Sequence, residues 1–344
     1  MTTPAYIHFI GRRQGIIPYS NTNWFLENSR NQELAGIRNI PNIKIVNSKK
    51  KADIIFVRNK PESTTDQQVK KIDSVIKDHR TDKLVINDIK DFNNVDNKDI
   101  TFTIWKNNDV RCPDYCVLNP LNIDESIEKI TTMLSTKESI LLRINNRTGG
   151  AAMKKIEPHF DKQNIIQQLE KLSTKVMDYR EARALTNLIA VEHIKNGNGN
   201  YTHAFRAHIL NDEIISFYVA ISKSLVVSMT KLEDGDLNEF IRINSKFAEL
   251  LNNDSFKKKI LKAMSSITNM GAVDFLLVDD KPIFLEINPM WKGNFFEKNF
   301  GDNKILLDWF YKKPELEKII PNVFQFKNPI KYWGNFYTTL INQC

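Results

Sequence analysis

An α/β fold, opening on a doubly wound parallel sheet and continuing into antiparallel hairpins, is predicted by three features of this sequence. Over the N-terminal third, short apolar runs alternate with helical stretches. Ala5–Ile10, Ala52–Val57 and Lys83–Asn87 read as buried strands, with Asn23–Glu33 and Gln67–His79 as helices. Strand, helix, strand, helix, strand implies a parallel sheet with helices packed on it. Further on, Thr202–Ala220 and Ala272–Ile287 each hold two strand-like runs around a short polar turn, the pattern of an antiparallel hairpin.

Asp99–Trp105 reads as a helix, and Asn107–Pro113 as a turn leading to a strand at Tyr115–Leu118. A helix at Ile123–Leu134 follows, then a strand from Ser139 that runs into the loop Thr148, Gly149, Gly150. Such a loop lets backbone N–H groups approach phosphate oxygens, and Arg143 on the strand supplies a cation. Taken without its neighbours, the loop reads equally as an ordinary turn. Leu188–Ile194 is a strand ending in the polar pair Glu192 and His193, and Asn196–Asn200 is a glycine-containing loop. By itself His193 reads as a satisfied surface histidine. Helices at Leu237–Leu251 and Phe256–Met270 lead into the last hairpin, and the tail is rich in aromatics such as Trp309, Phe326, Trp333 and Tyr337. These read as packing residues, not as a stacking platform for bases.

The last hairpin carries the chemistry. With the turn Asp279, Asp280, Lys281 centred on residue 280, one face holds only Val273, Phe275, Leu277, Ile283, Leu285 and Ile287. The other holds Asp274, Glu286 and Asn288, with Asp274 and Glu286 as direct cross-strand neighbours able to share one cation. A slip of one residue would bury the carboxylates. Two carboxylates and an amide oxygen make a hard donor set. It suits Mg²⁺, or Mn²⁺ in its place, with remaining positions left for water and nucleotide phosphates. On spacing alone a second reading stands beside it, in which the three are the solvated face of an edge strand.

The hairpin with Asp274 and then Glu286, Ile287, Asn288 resembles the Mg²⁺-binding signature of the ATP-grasp superfamily, and the other parts follow in that family's order. The resemblance implies an N-terminal doubly wound parallel-sheet domain with a linker helix over 1–111. Two α+β lobes that clamp ATP follow, a small one over 112–187 and a large one over 188–344. It also implies roles: Lys98 as the linker lysine, and Arg143 with Gly149 and Gly150 on the phosphates. Glu192, His193 and Ile194 become the hinge, whose backbone meets the adenine edge and whose acidic residue approaches the ribose. Arg206 becomes the catalytic arginine facing the reacting phosphate. Most members carry lysine where this sequence has Arg143, which keeps the charge in a planar, forked form.

The implied activity is an ATP- and Mg²⁺-dependent ligase that joins a carboxylate to an amine through an acyl phosphate, releasing ADP and phosphate. A small-molecule kinase would use the same ATP site, and a nucleotide sensor with a degenerate site is the non-catalytic alternative. Trp291 and Lys292 follow the metal strand directly, and fit either a substrate contact or lobe packing.

Composition is that of an ordinary soluble globular protein. The chain has 344 residues, 41% of them apolar and 26% charged, enough for a substantial core and more than one lobe. No apolar run reaches the length of about eighteen that a membrane span needs, and the N-terminus lacks the pattern of a secretory signal. Cys112, Cys116 and Cys344 make neither a disulfide framework nor a zinc pattern, so a reducing cytoplasm is expected. The net charge of +8 is spread along the chain, which reads as solvated surface favouring an anionic small substrate. The resemblance implies a small carboxylate and an amine as partners; no nucleic acid and no membrane are expected, and a homodimer is the oligomer to expect if one forms.

Overall fold

Five strands form the first sheet: β1 (Ala5–Gly11), β2 (Tyr19–Ser20), β3 (Ile43–Ile45), β4 (Ile54–Arg58) and β5 (Leu84–Ile86). A computed structural model describes residues 4–11, 19–20, 31–58, 64–77, 80, 82–147, 153–197, 199–224, 232–289 and 304–343. β3, β1, β4 and β5 run parallel, with β2 antiparallel to the end of β1. Apolar side chains stand on both faces. Phe9, Ile54 and Phe56 point to one side, and Ile10, Ile55 and Val57 to the other, as expected of parallel strands covered twice.

The helix Asp66–Ile76 covers the second face through Val69, Ile72 and Ile76, its start fixed by a reciprocal Thr65–Gln68 cap. The first face is covered from the far end of the sequence, by the helix Pro329–Asn342. Tyr337 packs on Phe9 and Phe56 at ring distances of 6.4 and 6.0 Å and donates a 2.8 Å hydrogen bond to Glu33. That helix crosses Asn31–Arg38 so closely that a Cβ on Gly36 would lie 2.8 Å from the Trp333 Cβ. The helix predicted over 23–33 is thus seen from Asn31, and its earlier part lies outside the described residues.

The second sheet, ordered β6-β9-β7-β8, is antiparallel: β6 (Tyr115–Leu118), β7 (Ile140–Ile144), β8 (Lys154–Ile156) and β9 (Leu188–Glu192). Ile140, Leu142 and Ile144 face a core shared with the helices Ile123–Leu134 and Lys162–Arg180, while Arg143 points away from it.

The third sheet is ordered β11-β10-β12-β13: β10 (Thr202–Leu210), β11 (Glu213–Ser222), β12 (Met270–Val278) and β13 (Lys281–Asn288). The helices Leu237–Leu251 and Asp254–Ser265 cover one face, where Phe247 meets Phe205 and Phe275 at 5.2 and 5.6 Å. The second of these stops at Ser265 and Met270 already belongs to β12, so the helix predicted to reach Met270 is shorter. Ser265, Ser266, Thr268 and Asn269 supply the polar break.

The predicted hairpin register holds at the functional end and changes near the turn. Asp274 pairs with Glu286 and Val273 with Ile287, but Phe275 pairs with Phe284, leaving Leu285 as a one-residue bulge. Lys281 is therefore in the strand, and the turn is Asp279 and Asp280, both at left-handed φ of 51° and 58°, as a two-residue hairpin turn of this hand requires. The bulge turns Phe284 into the core, where it lies 5.8 Å from the Trp105 ring and 5.5 Å from Phe275. Trp105 belongs to the helix Lys98–Asn107, tied to the covering helix Asp254–Ser265 by a 2.8 Å bond from its indole N–H to the Ala263 carbonyl.

Candidate active site

Four side chains line up across the third sheet. Tyr218 on β11 is directly opposite Arg206 on β10, Arg206 is opposite Asp274 on β12, and Asp274 is opposite Glu286 on β13. Directly opposed residues share a face, so phenol, guanidinium and two carboxylates form one row away from the Phe205–Phe275 core. Arg206 holds Asp274 with both prongs, Nε to Oδ1 and Nη2 to Oδ2, each at 2.5 Å. Its guanidinium carbon lies 6.0 Å from the Tyr218 ring centre, within reach of a cation–π contact. The Asn288 amide closes the row, donating to Asp274 Oδ2 at 3.0 Å and Glu286 Oε1 at 3.3 Å.

Two further cations come from other elements. Lys98, the first residue of the linker helix, is 3% exposed, and its Nζ lies 2.9 Å from Glu286 Oε2. Arg143, from β7, shares an acceptor with it: the Arg147 carbonyl takes Lys98 Nζ at 3.2 Å and Arg143 Nη2 at 3.1 Å. The Arg143 Nε is buried and has no hydrogen-bond partner among the described residues, leaving a donor free for a ligand.

The electrostatics follow from this packing. Burial alone would raise the Glu286 carboxyl, but the charges of Lys98, Arg143 and Arg206 outweigh it and hold its pKa at about 2. Burial, aided by the neighbouring Glu286 carboxylate, pushes the Asp274 carboxyl up against the pull of Arg206. Burial would lower Arg206, yet Asp274 outweighs it and raises the guanidinium pKa, and the two-pronged contact favours the charged form of both partners. Burial pulls the Lys98 ammonium and the Arg143 guanidinium down, with Glu286 opposing in each case.

Three cations face two carboxylates, so the cluster carries one net positive charge. The donor set fits a hard divalent ion. Asp274, Glu286 and Asn288 already meet within hydrogen-bond distance, and turning the Asn288 amide over would present its oxygen. No three His, Cys, Asp or Glu side chains gather among the described residues, so water and ligand oxygens would complete the coordination, as is usual for Mg²⁺. The surplus positive charge favours a metal that arrives with anionic oxygens over a bare one.

The sequence-predicted residues divide into three groups. Lys98, Arg143, Arg206, Asp274, Glu286 and Asn288 are brought together as described. Glu192 ends β9 and His193 and Ile194 follow it, with Glu192 turned to the segment before β6 and His193 to the start of β7. There Glu192 accepts from the Asp114 backbone N–H at 3.1 Å and pairs with Lys137 at 3.1 Å. His193 shares a 2.8 Å hydrogen bond with Ser139, and burial, with Lys155 and Lys195, lowers its pKa. Ile194 is half-buried. Gly149, Gly150, Trp291 and Lys292 lie outside the described residues.

Tyr218 and the Arg147 carbonyl were not anticipated. Centring the β10–β11 hairpin on residue 212 would have placed Tyr218 opposite Arg206. Nothing in the sequence marks the Arg147 carbonyl.

The architecture has counterparts among solved structures. A D-cycloserine synthetase aligns over 89% of this chain and 98% of its own, with 8% identity and a TM-score of 0.50. The D-alanine–D-alanine ligase from Bacillus anthracis aligns over 93% and 97%, with 13% identity and a TM-score of 0.49. A RimK domain ATP-grasp protein from Sphaerobacter thermophilus aligns over 96% and 98%, with 9% identity and a TM-score of 0.48. No protein-family model and no curated protein matches the sequence. The chain has the ATP-grasp fold.

Proposed function

We propose that this chain is an ATP-dependent ligase that joins a carboxylate to an amine. The observation that carries this reading is the cluster itself, in which Lys98, Arg143 and Arg206 converge on Asp274, Glu286 and Asn288. Phosphoryl transfer asks a protein for positioning and charge neutralisation more than for covalent chemistry. Lys98 and Arg143 cover phosphate oxygens, and Arg206 faces the phosphoryl group in transfer, where charge builds in the transition state. Asp274, Glu286 and Asn288 hold Mg²⁺, or Mn²⁺ in its place, which when bound supplies further neutralisation of the phosphates.

A substrate carboxylate oxygen attacks the γ-phosphorus, ADP leaves, and the acyl phosphate passes its acyl group to an amine with release of phosphate. Glu192, His193 and Ile194 belong to the nucleoside end of this reading, Gly149 and Gly150 to the phosphates, and Trp291 and Lys292 to the acceptor. No helix among the described residues is long and apolar enough to cross a membrane, and the substrates are small molecules.

A ³¹P NMR time course with Mg·ATP and pooled small carboxylates and amines tests the reaction class. ADP with equal free phosphate, formed only when both pools are present, is the expected result. ADP with a stable new phosphorylated metabolite would replace the ligase by a kinase.

A further inference from the structure

We propose that Asp99 is a positioning residue: through Asn145 and Asn187 it sets Lys98 and Arg143 against Glu286. The consequence for nucleotide binding rests on the reading of those cations as phosphate-facing groups. Asp99 lies in the first turn of the linker helix, where an acidic residue is common because of the helix dipole. Its oxygens nevertheless do not cap that helix. Oδ1 accepts from the Asn145 side chain at 2.7 Å and Oδ2 from the Asn187 side chain at 2.8 Å. Asn145 directly follows β7 and Asn187 directly precedes β9, so one carboxylate spans the two central strands of the second sheet.

The amides are themselves fixed. Asn145 is fully buried, its Nδ2 also faces the Leu185 carbonyl at 2.8 Å, and its Oδ1 accepts from the Asn187 backbone N–H at 3.0 Å. Asn187 Oδ1 accepts from Arg180 at 3.1 Å. The Lys98 backbone N–H reaches the Asn145 carbonyl at 3.3 Å, tying the helix start to β7 by backbone as well. Lys98 immediately precedes Asp99, and Arg143 stands two residues before Asn145, on the same side of β7. The clamp therefore fixes both roots from which the two side chains reach the Arg147 carbonyl and Glu286.

A buried carboxylate held by two neutral amides, with no cation paired to it among the described residues, is a costly arrangement unless every donor is in place. Asp99→Asn keeps the shape and turns one contact into a donor facing a donor. Both tests use the full chain. In calorimetric titration with Mg·ADP, Asp99→Asn and Lys98→Met are each expected to weaken binding about tenfold or more. The double variant should bind more tightly than the product of the two single losses predicts, because part of the Asp99 effect runs through Lys98 and only the part through Arg143 remains. Losses that multiply in the double variant overturn the proposal.

Urea denaturation without nucleotide gives a second cycle, of Asp99→Asn with Glu286→Gln. The midpoint shift of the double variant should fall short of the sum of the single shifts, and additive shifts overturn the proposal whether or not nucleotide binds. Coupled shifts in a wild type that binds no Mg·ADP would keep Asp99 as the positioning residue and remove the nucleotide reading. Should Asp99→Asn not fold, Asn187→Ala, which removes one of the two amides, takes its place in both cycles.

Discussion

Replacing Glu286 by glutamine is expected to lower ATP-dependent turnover by about 100-fold or more, the scale of losing one preorganised electrostatic stabiliser. Glutamine keeps the shape and removes the carboxylate that lies 2.9 Å from the Lys98 ammonium. Lys98, 3% exposed, would then be a buried ammonium without its counter-charge and would shed its proton more readily. The Glu286 side chain is 21% exposed, so the stability cost is expected at about 1–3 kcal/mol, below the cost of breaking a fully buried pair.

The sign of the pH dependence follows from the depressed Glu286 pKa. The unfolded carboxyl titrates near 4.5 and the folded one near about 2, so the stabilising contribution is complete above 4.5 and vanishes as pH falls through about 2. The gap in unfolding free energy between wild type and Glu286→Gln should be widest at neutral pH and close across that window. A gap that stays constant to pH 2, or a variant that turns over at the wild-type rate, would remove Glu286 from the site.

On the proposed mechanism Arg206→Ala should cost about 10²- to 10³-fold in turnover, the scale of removing a donor aimed at charge that develops in a transition state. It also strips Asp274 of both of its 2.5 Å contacts. The buried carboxyl that remains rises further and takes up a proton more easily, which weakens the same oxygens as cation ligands. Arg206→Lys separates the two effects, since lysine restores charge without the fork. Its rate should fall between those of wild type and alanine. Steady-state ADP release measures both variants, and equal rates for lysine and alanine would show that the fork, not the charge, is what the site uses.

Strand periodicity made the opposition of Asp274 and Glu286 legible in the sequence, whereas Arg206 had a role only from the resemblance and its place opposite Asp274 depends on the pairing of two distant strands. Alternation is a period-two signal, and tight polar turns fix which residues oppose each other. The Leu285 bulge was not legible, because it depends on Phe284 packing against Trp105, a contact between distant segments. The pairing of Lys98 with Glu286 is distant in the same way: the resemblance gave Lys98 a role, but no local pattern names its partner. Asp99, Asn145 and Asn187 resemble ordinary caps and turn residues until the fold brings them together. The helix Lys162–Arg180 is marked in the sequence by the helical spacing of Ile165, Leu169, Leu172 and Val176, all buried, although no motif singles it out. Trp309, Phe326, Trp333 and Tyr337 of the aromatic tail are buried, as packing residues are, whereas Tyr311 is 64% exposed. That Tyr337 would close the first sheet against Phe9 and Phe56 was beyond any local signal.

The measurement that bears most directly on the proposed nucleotide site is Mn²⁺ binding by electron paramagnetic resonance, with protein alone, with ADP alone and with both. Three cations against two carboxylates should leave Mn²⁺ largely free with protein alone. Protein and ADP together should bind it more tightly than ADP does by itself, and Glu286→Gln should abolish that gain. Equal Mn²⁺ affinity with and without ADP, or a nucleotide-dependent gain that Glu286→Gln leaves intact, would contradict the assignment of Asp274, Glu286 and Asn288 to a metal–nucleotide site.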